Sequence, residues 1–189
     1  EGLKEKISKK EWKPDFGNSF NKKSGATAIG VRDFLIAYNI NLNTKSTRLA
    51  NAIAFDVREK GRIKRKGHPV IGDIVYDKNG NPEIIPGSLK HVKAIGWYIE
   101  EFGITQISMN LTNITETPIH TVFEEVSKKA QNRGARVTGS ELVGLIPLNS
   151  ILDAGKYFLK KQNRSLGIPE SDIIKIAVES LGLSQVKDF

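Results

Sequence analysis

The order in which strand-like and helix-like patterns follow one another is the strongest constraint on the fold of this 189-residue chain. Alternating apolar side chains predict strands, and apolar side chains spaced three or four residues apart predict helices. The predicted core elements, in order, are a strand at 34–42, a helix from Thr44 or Ser46 to about Gly61, strands at 92–101 and 104–112, a helix opened by Thr117 and Pro118 and closed by Gly134, and a strand at 136–143. This order predicts an α+β, ferredoxin-like βαββαβ core, in which helices cover one face of an antiparallel or mixed sheet.

Three further segments extend this core. Residues of about 62–88 form an inserted excursion, and the Asp77–Gly80 turn between residues 74–76 and 83–85 predicts a hairpin within it. Two extra C-terminal helices are predicted at 147–162 and 169–181. The predicted domain organisation is a separate segment at 1–33, the core domain at 34–182 and a tail at 183–189.

Composition narrows the possible chemistry. The chain has no cysteine, which excludes disulfides, thiolate catalysis and cysteine-based zinc sites. Its three histidines are scattered, so we expect no metal site, and no apolar run approaches the ~18 residues of a membrane span. The chain begins with Glu1 and has no signal-peptide pattern, so we expect a piece of a longer protein.

The formal net charge of +8 favours an anionic partner without identifying it. Much of the excess lies in residues 1–23 and 58–66. Such charge runs are typical of a solvated helix end or loop.

The sheet face away from the helices is the most informative region for function. In the first strand, Asn39 and Asn41 alternate with a buried apolar stripe, and Asn110 does so in the third strand. In the second strand we expect Ile95, Trp97 and Ile99 to face the helices, which would leave Ala94, Gly96 and Tyr98 on the open face. A small, neutral-polar face fits either a solvated sheet or one covered by another surface or a ligand, and a one-residue register slip would invert the assignment.

The sequence has few features that are typical of catalysis or RNA binding. His120 and Glu124 could form an acid–base pair, although an exposed histidine at a helix start is the simpler interpretation. A basic ferredoxin-like sheet is also typical of RNA-binding domains, which stack bases on aromatic side chains of the central strands. The third strand has no aromatic residue, and Tyr38 and Trp97 are expected to face the helices, which argues against RNA.

Six ordered sequence blocks resemble glutamate formimidoyltransferase, the formiminotransferase domain that also occurs in formimidoyltransferase-cyclodeaminase. The resemblance covers roughly residues 11–155. The blocks are EWKPDFG (11–17), GATAIGVRDFLIAYNINL (25–42), LKHVKAIGWYIEE (89–101), ISMNLTN (107–113), HTVFEEVSKKAQ (120–131) and GSELVGLIPL (139–148).

The resemblance implies a cytoplasmic enzyme of histidine degradation that moves a formimino group from N-formimino-L-glutamate to tetrahydrofolate as co-substrate. It implies two subdomains whose sheets face each other across a folate tunnel. This chain would then be the C-terminal subdomain with the end of the N-terminal one, in a homo-oligomer without nucleic acid or membrane partners. Asn39, Asn41 and Asn110 would lie on the tunnel or interface face.

Site residues can be carried over only in part. The family's catalytic histidine would lie in the N-terminal subdomain, so no residue here inherits that role, and we expect this piece alone to be inactive. The family's folate-binding stretch corresponds to the loop Gly17, Asn18, Ser19, Phe20, Asn21, Lys22, Lys23, Ser24 and Gly25. Residues of about 62–86 are longer than the family pattern. The alternative function is a non-catalytic ferredoxin-like module that binds an anionic ligand or RNA.

Overall fold

The computed structural model describes residues 2–17, 19–68 and 71–184. The chain divides into two compact units, Glu1–Arg32 and Asp33–Phe189, each of which is described by itself. The first unit contains a four-residue helix, α1 (Leu3–Lys6), and a short 3-10 helix, Lys10–Trp12. The sequence of residues 2–10 is compatible with a helix of that length, but only Leu3–Lys6 is α-helical.

The second unit contains the remaining elements. They are β1 (Ile36–Leu42), α2 (Thr47–Val57), β2 (Arg62–Ile63), β3 (Ile84–Ile85), β4 (Val92–Ile99), β5 (Ile104–Leu111), α3 (Ile119–Asn132), β6 (Val137–Leu142), α4 (Leu148–Lys161) and α5 (Glu170–Leu181). The four long strands form one sheet in the order β4-β5-β1-β6, with every neighbouring pair antiparallel. This confirms the predicted α+β, ferredoxin-like core.

The main hydrophobic core lies between the sheet and the helices. One face of β1 contributes Ile36, Tyr38, Ile40 and Leu42, all at most 1% exposed. Ile107, Met109 and Leu111 of β5 lie on the same face and are likewise buried. Burial raises the pKa of Tyr38, which therefore remains neutral. The predicted alternation between core-facing and outward-facing side chains in β1 and β5 is confirmed.

The helix boundaries follow local capping chemistry. The Ser46 hydroxyl accepts a hydrogen bond from the Leu49 amide at 3.2 Å, so Ser46 is the N-cap of α2. The helix ends at Val57 rather than near Gly61, because Arg58 adopts an extended backbone conformation. Thr117 does not cap α3, since its hydroxyl donates to the Lys90 carbonyl at 2.8 Å.

The inserted excursion forms a hairpin, but its main ladder differs from the predicted one. Residues 62–63 pair with residues 84–85, so β2 and β3 join the ends of the excursion. The predicted inner pairing is limited to a single bridge between Tyr76 and Pro82. The expected turn is present there, with the Asp77 amide donating to the Asn81 carbonyl at 2.8 Å and Gly80 at a φ of 79°.

A close approach joins α2 to β4. The Asn51 side chain donates to the Gly96 carbonyl at 2.8 Å and accepts from the Gly96 amide at 3.1 Å. A Cβ atom at Gly96 would lie 2.4 Å from the Asn51 backbone nitrogen. Only glycine permits this contact, which fixes Ala94 and Gly96 on the helix side of the sheet.

Both rims of the sheet have partners from other parts of the chain. At the β6 rim, the Ser140 amide donates to the Gly182 carbonyl at 2.8 Å, and its hydroxyl donates to the Leu181 carbonyl at 2.6 Å. At the β4 rim, the Val92 carbonyl accepts from the Glu59 amide at 3.0 Å. At these points, each edge strand thus forms hydrogen bonds with the chain segment at or after the C-terminal end of a helix.

Candidate functional site

The face of the sheet away from α2 and α3 carries side chains from all four long strands. Strand register and alternation place on it Ala37, Asn39, Asn41, Lys93, Ile95, Trp97, Ile99, Ile104, Gln106, Ser108, Asn110, Gly139 and Glu141. We call this set the open face. It brings together Asn39, Asn41 and Asn110, as the alternation predicted.

The assignment of β4 was wrong. Ala94 and Gly96 face α2, whereas Ile95 and Trp97 lie on the open face and are 58% and 47% exposed. The large side chains cannot face α2 because the helix backbone approaches Gly96 too closely for any side chain. The open face is therefore polar at its centre and apolar along the β4 edge, rather than uniformly small and neutral.

A hydrogen-bonded network occupies the polar centre. The Gln106 amide donates to the Asn41 side-chain oxygen at 2.7 Å and to the Glu141 carboxylate at 3.3 Å. The Asn39 amide donates to the same Glu141 oxygen at 3.4 Å. Asn39, Asn41 and Gln106 are buried. These contacts hold one carboxylate between two amide groups in the middle of the sheet, which fixes the orientation of all four side chains.

One polar atom of this network has no partner. The Gln106 Oε1 atom is buried and accepts no hydrogen bond from any residue in the described part of the chain. A buried carbonyl oxygen without a donor costs free energy, so a donor from outside this chain would stabilise the arrangement. The network thus offers an acceptor next to the indole of Trp97, which is the cross-strand neighbour of Gln106.

Gln106, Glu141 and Trp97 were missed as open-face residues. The alternation of Ile107, Met109 and Leu111 already places Gln106 on the opposite face of β5, so its position was readable from the sequence. Trp97 on the open face weakens one argument against RNA. The central strands β1 and β5 still present only aliphatic and polar side chains on the open face, because Tyr38 faces the helices.

The predicted folate loop lies in the first unit, and Asn18 lies outside the described residues. Asn21 organises the loop: its side-chain oxygen accepts from the amides of Lys23 and Ser24 at 2.9 and 3.0 Å, and its carbonyl accepts from the Gly25 amide at 2.9 Å. These three amides are therefore already used within the loop. Gly17 and Gly25 have positive φ angles of 78° and 69°.

The side chains of the loop are more available. Ser19, Lys22, Lys23 and Ser24 are exposed, and Phe20 is half-buried. Asn21 has a structural role in closing the turn.

Within the described residues, His120 makes no hydrogen bond to Glu124, and its side chain is half-buried rather than exposed as expected. Glu124 instead accepts hydrogen bonds from Tyr157 and Lys161 of α4, and His120 stacks on Tyr157 with a centroid distance of 4.4 Å. Burial lowers the pKa of His120, although the carboxylates of Asp153 and Glu124 oppose this effect. The cluster ties α3 to α4.

Two absences hold for residues 2–17, 19–68 and 71–184. No helix in these ranges is both long and apolar enough to cross a membrane. Within the same ranges, no group of three or more histidine or acidic residues could hold a metal ion.

Comparison with known proteins decides the family. A profile of the formiminotransferase domain matches residues 37–189, a region that contains the whole open face. The chain belongs to the formiminotransferase domain family.

Curated relatives of the formiminotransferase domain family extend the similarity to the N-terminal residues. The chain is 45% identical to the formimidoyltransferase-cyclodeaminase of Dictyostelium discoideum, over all of this chain and 32% of that protein. It is 37% identical to the glutamate formimidoyltransferase of Thermoplasma acidophilum, over 95% of this chain and 50% of that protein. With the Streptococcus pyogenes glutamate formimidoyltransferase it shares 31% identity, over 86% of this chain and 46% of that protein. The chain thus spans between a third and a half of these relatives.

Proposed function

We propose that this chain is the C-terminal part of a folate-dependent transferase that moves the formimino group of N-formimino-L-glutamate to tetrahydrofolate. The observation that carries the proposal is the open face, which lies inside the region matched to the formiminotransferase domain. It joins a network of buried amides and a half-buried carboxylate to an exposed tryptophan. A cytoplasmic location and a homo-oligomeric assembly belong to the proposal because the family resemblance implies them.

The reaction needs two groups held close together and a proton carrier. The N5 nitrogen of tetrahydrofolate bonds to the formimino carbon, and the bond from that carbon to the glutamate nitrogen breaks. N5 loses a proton and the departing amine gains one, which is the task of a general acid–base such as the histidine expected in the N-terminal subdomain. The open face would form one wall of the tunnel that holds both substrates in contact.

The chemistry of the open face suits this wall. The Trp97 indole and the Ile95 side chain, both exposed, offer an apolar surface for the flat pterin ring. The unpartnered Gln106 oxygen offers an acceptor for a ring or amine N–H group, and Glu141 is held beside it. No group on this wall needs to carry the catalytic proton.

Asn110→Lys tests whether the open face is covered in the full-length protein. Asn110 is exposed in this chain, so the change should leave the stability of the 189-residue chain within about 0.5 kcal/mol of the unaltered one. In the full-length protein the new charge would be buried without a partner and should cost about 3 kcal/mol in stability, with a matching loss of activity. Thermal unfolding and a transferase assay measure both effects.

The matched control is Asn132→Lys, the same change at the end of α3, away from the open face. It should leave both proteins unaltered. If Asn110→Lys behaves like this control in the full-length protein, the open face is solvated and the tunnel proposal is wrong.

The loop from Gly17 to Gly25 is proposed as the site for the folate tail. Its lysines can pair with the tail carboxylates, its serine hydroxyls can donate to them, and Phe20 can contact the apolar part of the molecule. Because Asn21 already occupies the amides of Lys23, Ser24 and Gly25, the side chains have to provide most of the recognition.

Replacing Lys22 and Lys23 together by alanine should raise the dissociation constant of tetrahydrofolate in the full-length protein about tenfold at low salt. The effect should shrink as ionic strength rises, because salt screens exposed charges. Equilibrium binding at two salt concentrations measures it. The control is Lys9→Ala with Lys10→Ala, which removes the same charge from the same unit outside the loop. Equal affinities for the two double variants would remove the lysines from the site.

A further inference from the structure

A second candidate site lies on the helix side of the sheet, where the inserted hairpin meets α2. The outer side of α2 and strand β2 enclose a cavity of about 310 Å³. Its walls include four arginines (Arg48, Arg58, Arg62 and Arg65) and the apolar side chains of Phe55 and Ile63. Its lining contains no acidic residue from the part of the chain that the structure describes. The proposed transfer reaction does not use this cavity.

The arginines are held in place by the chain itself. Arg58 stacks on the Phe55 ring at 4.0 Å from its centroid, and its Nε atom donates to the Gly61 carbonyl at 2.9 Å. Arg65 donates one terminal N–H to the Gly72 carbonyl at 2.7 Å. Both residues are half-buried. Each guanidinium has five N–H donors in a rigid fork, so several donors of each remain for a ligand.

Positive charge exceeds negative charge around the cavity. Asp56 forms ion pairs with both Arg62 and Arg133, and the Arg133 Nε lies 2.6 Å from the carboxylate. One negative charge therefore faces two positive charges. Arg48 is exposed and forms no side-chain hydrogen bond or ion pair within the described residues. Burial lowers the pKa of Arg58 and of Arg62, and the nearby Arg133 charge adds to the effect at Arg62. A bound anion would relieve this unfavourable environment.

The arrangement indicates which anion fits. Guanidinium groups bind phosphate and carboxylate oxygens in pairs, and a phosphate monoester carries three such oxygens and a charge of about −1.5 to −2. Among the described residues, Arg48, Arg58 and Arg65 have no carboxylate partner, so their guanidinium groups are available to one dianionic group in the cavity that they line. A volume near 300 Å³ also leaves room for a small organic body against Phe55 and Ile63.

We propose that this cavity binds a small phosphorylated organic molecule, with the phosphate on the arginines and the organic part against Phe55 and Ile63. The site is separate from the open face, because α2 packs on the opposite side of the sheet through the Asn51–Gly96 contact. Its occupation would hold the inserted hairpin against α2.

The experiment uses the 189-residue chain and calorimetric titration with adenosine monophosphate at low salt. The test variant is Arg48→Gln together with Arg65→Gln, and Arg48→Gln alone is the variant least able to disturb the fold. Arg164→Gln is the matched control, because Arg164 is exposed beyond α4 and its side chain has no partner within the described residues. Thermal unfolding of each variant checks that it folds.

We expect adenosine monophosphate to bind and the double variant to bind at least tenfold more weakly, with a smaller loss for Arg48→Gln and a change below twofold for Arg164→Gln. Inorganic phosphate should bind more weakly than adenosine monophosphate, because it lacks the organic part. The proposal is overturned if the unaltered chain binds neither compound, or if Arg164→Gln weakens binding as much as the double variant does. Tighter binding of triglutamate than of adenosine monophosphate would show that the site selects carboxylates and would overturn the phosphate assignment.

Discussion

The 189-residue chain alone is expected to transfer no formimino group from N-formimino-L-glutamate to tetrahydrofolate. Under this proposal, the proton carrier would belong to an N-terminal subdomain outside these 189 residues, and the open face would provide only one wall of the tunnel. A substrate bound to that wall alone would remain in contact with water and without a general acid for the departing amine. A turnover assay with both substrates should give the rate of the uncatalysed reaction.

The turnover assay needs a reconstitution experiment and a control variant. Mixing the chain with a separately produced N-terminal subdomain should restore measurable turnover, which shows that the preparation is competent. His120→Ala is the control for the helix cluster, and it should leave the restored rate unaltered, since His120 stacks on Tyr157 between α3 and α4. Turnover by the chain alone that disappears in His120→Ala would contradict the proposed division of labour.

Gly96→Ala is expected to destabilise the chain by about 3 kcal/mol. The added Cβ would lie 2.4 Å from the Asn51 nitrogen and 2.5 Å from the Ala50 carbonyl carbon, both in the backbone of α2, so the helix has to move. Overpacking of this kind costs about 1–3 kcal/mol, and loss of the two Asn51–Gly96 hydrogen bonds adds roughly 1 kcal/mol each.

Urea and thermal unfolding of the isolated chain measure the change. For a domain of this size, 3 kcal/mol corresponds to a fall of roughly 6–12 °C in Tm. The control is Gly30→Ala, because a Cβ at Gly30 would meet no atom within 4 Å and its backbone needs no positive φ. Unfolding curves that coincide for Gly96→Ala and the unaltered chain would show that α2 can shift at little cost.

The same contact explains the main error in predicting the fold from sequence. Element order and the faces of β1 and β5 were predictable, because the apolar alternation in these strands matches their burial. In β4 the large apolar residues Ile95 and Trp97 lie on the open face, since α2 packs too close for anything larger than Ala94 and Gly96. A prediction from hydrophobicity alone assigns the larger side chains to the core. It therefore exchanges the two faces of β4.

The open-face site was predictable in position but not in chemistry. Alternation placed Asn39, Asn41 and Asn110 on one face. It could not show that Asn39 and Asn41 are buried, or that Gln106 and Glu141 bond to them, because these contacts depend on the register between strands distant in the chain.

The environment of the basic run at 58–66 also could not be predicted from the sequence. A charge run is typical of a solvated loop, and the sequence contains nothing that contradicts this interpretation. In the structure, Arg58, Arg62 and Arg65 are half-buried. The cause is the β2–β3 pairing, which folds the excursion back onto α2, and this pairing joins residues more than twenty positions apart.

The bonded rims of the sheet bear on how copies of this protein can associate. Another molecule that added a strand beside β6 would have to displace the Leu181 and Gly182 carbonyls from Ser140, and one beside β4 would have to displace Glu59 from Val92. Unpaired sheet edges are the usual starting points for aggregation, so these internal partners protect the chain where it would otherwise recruit copies of itself. Strand addition at either rim would therefore have to compete with hydrogen bonds that the chain already makes within itself.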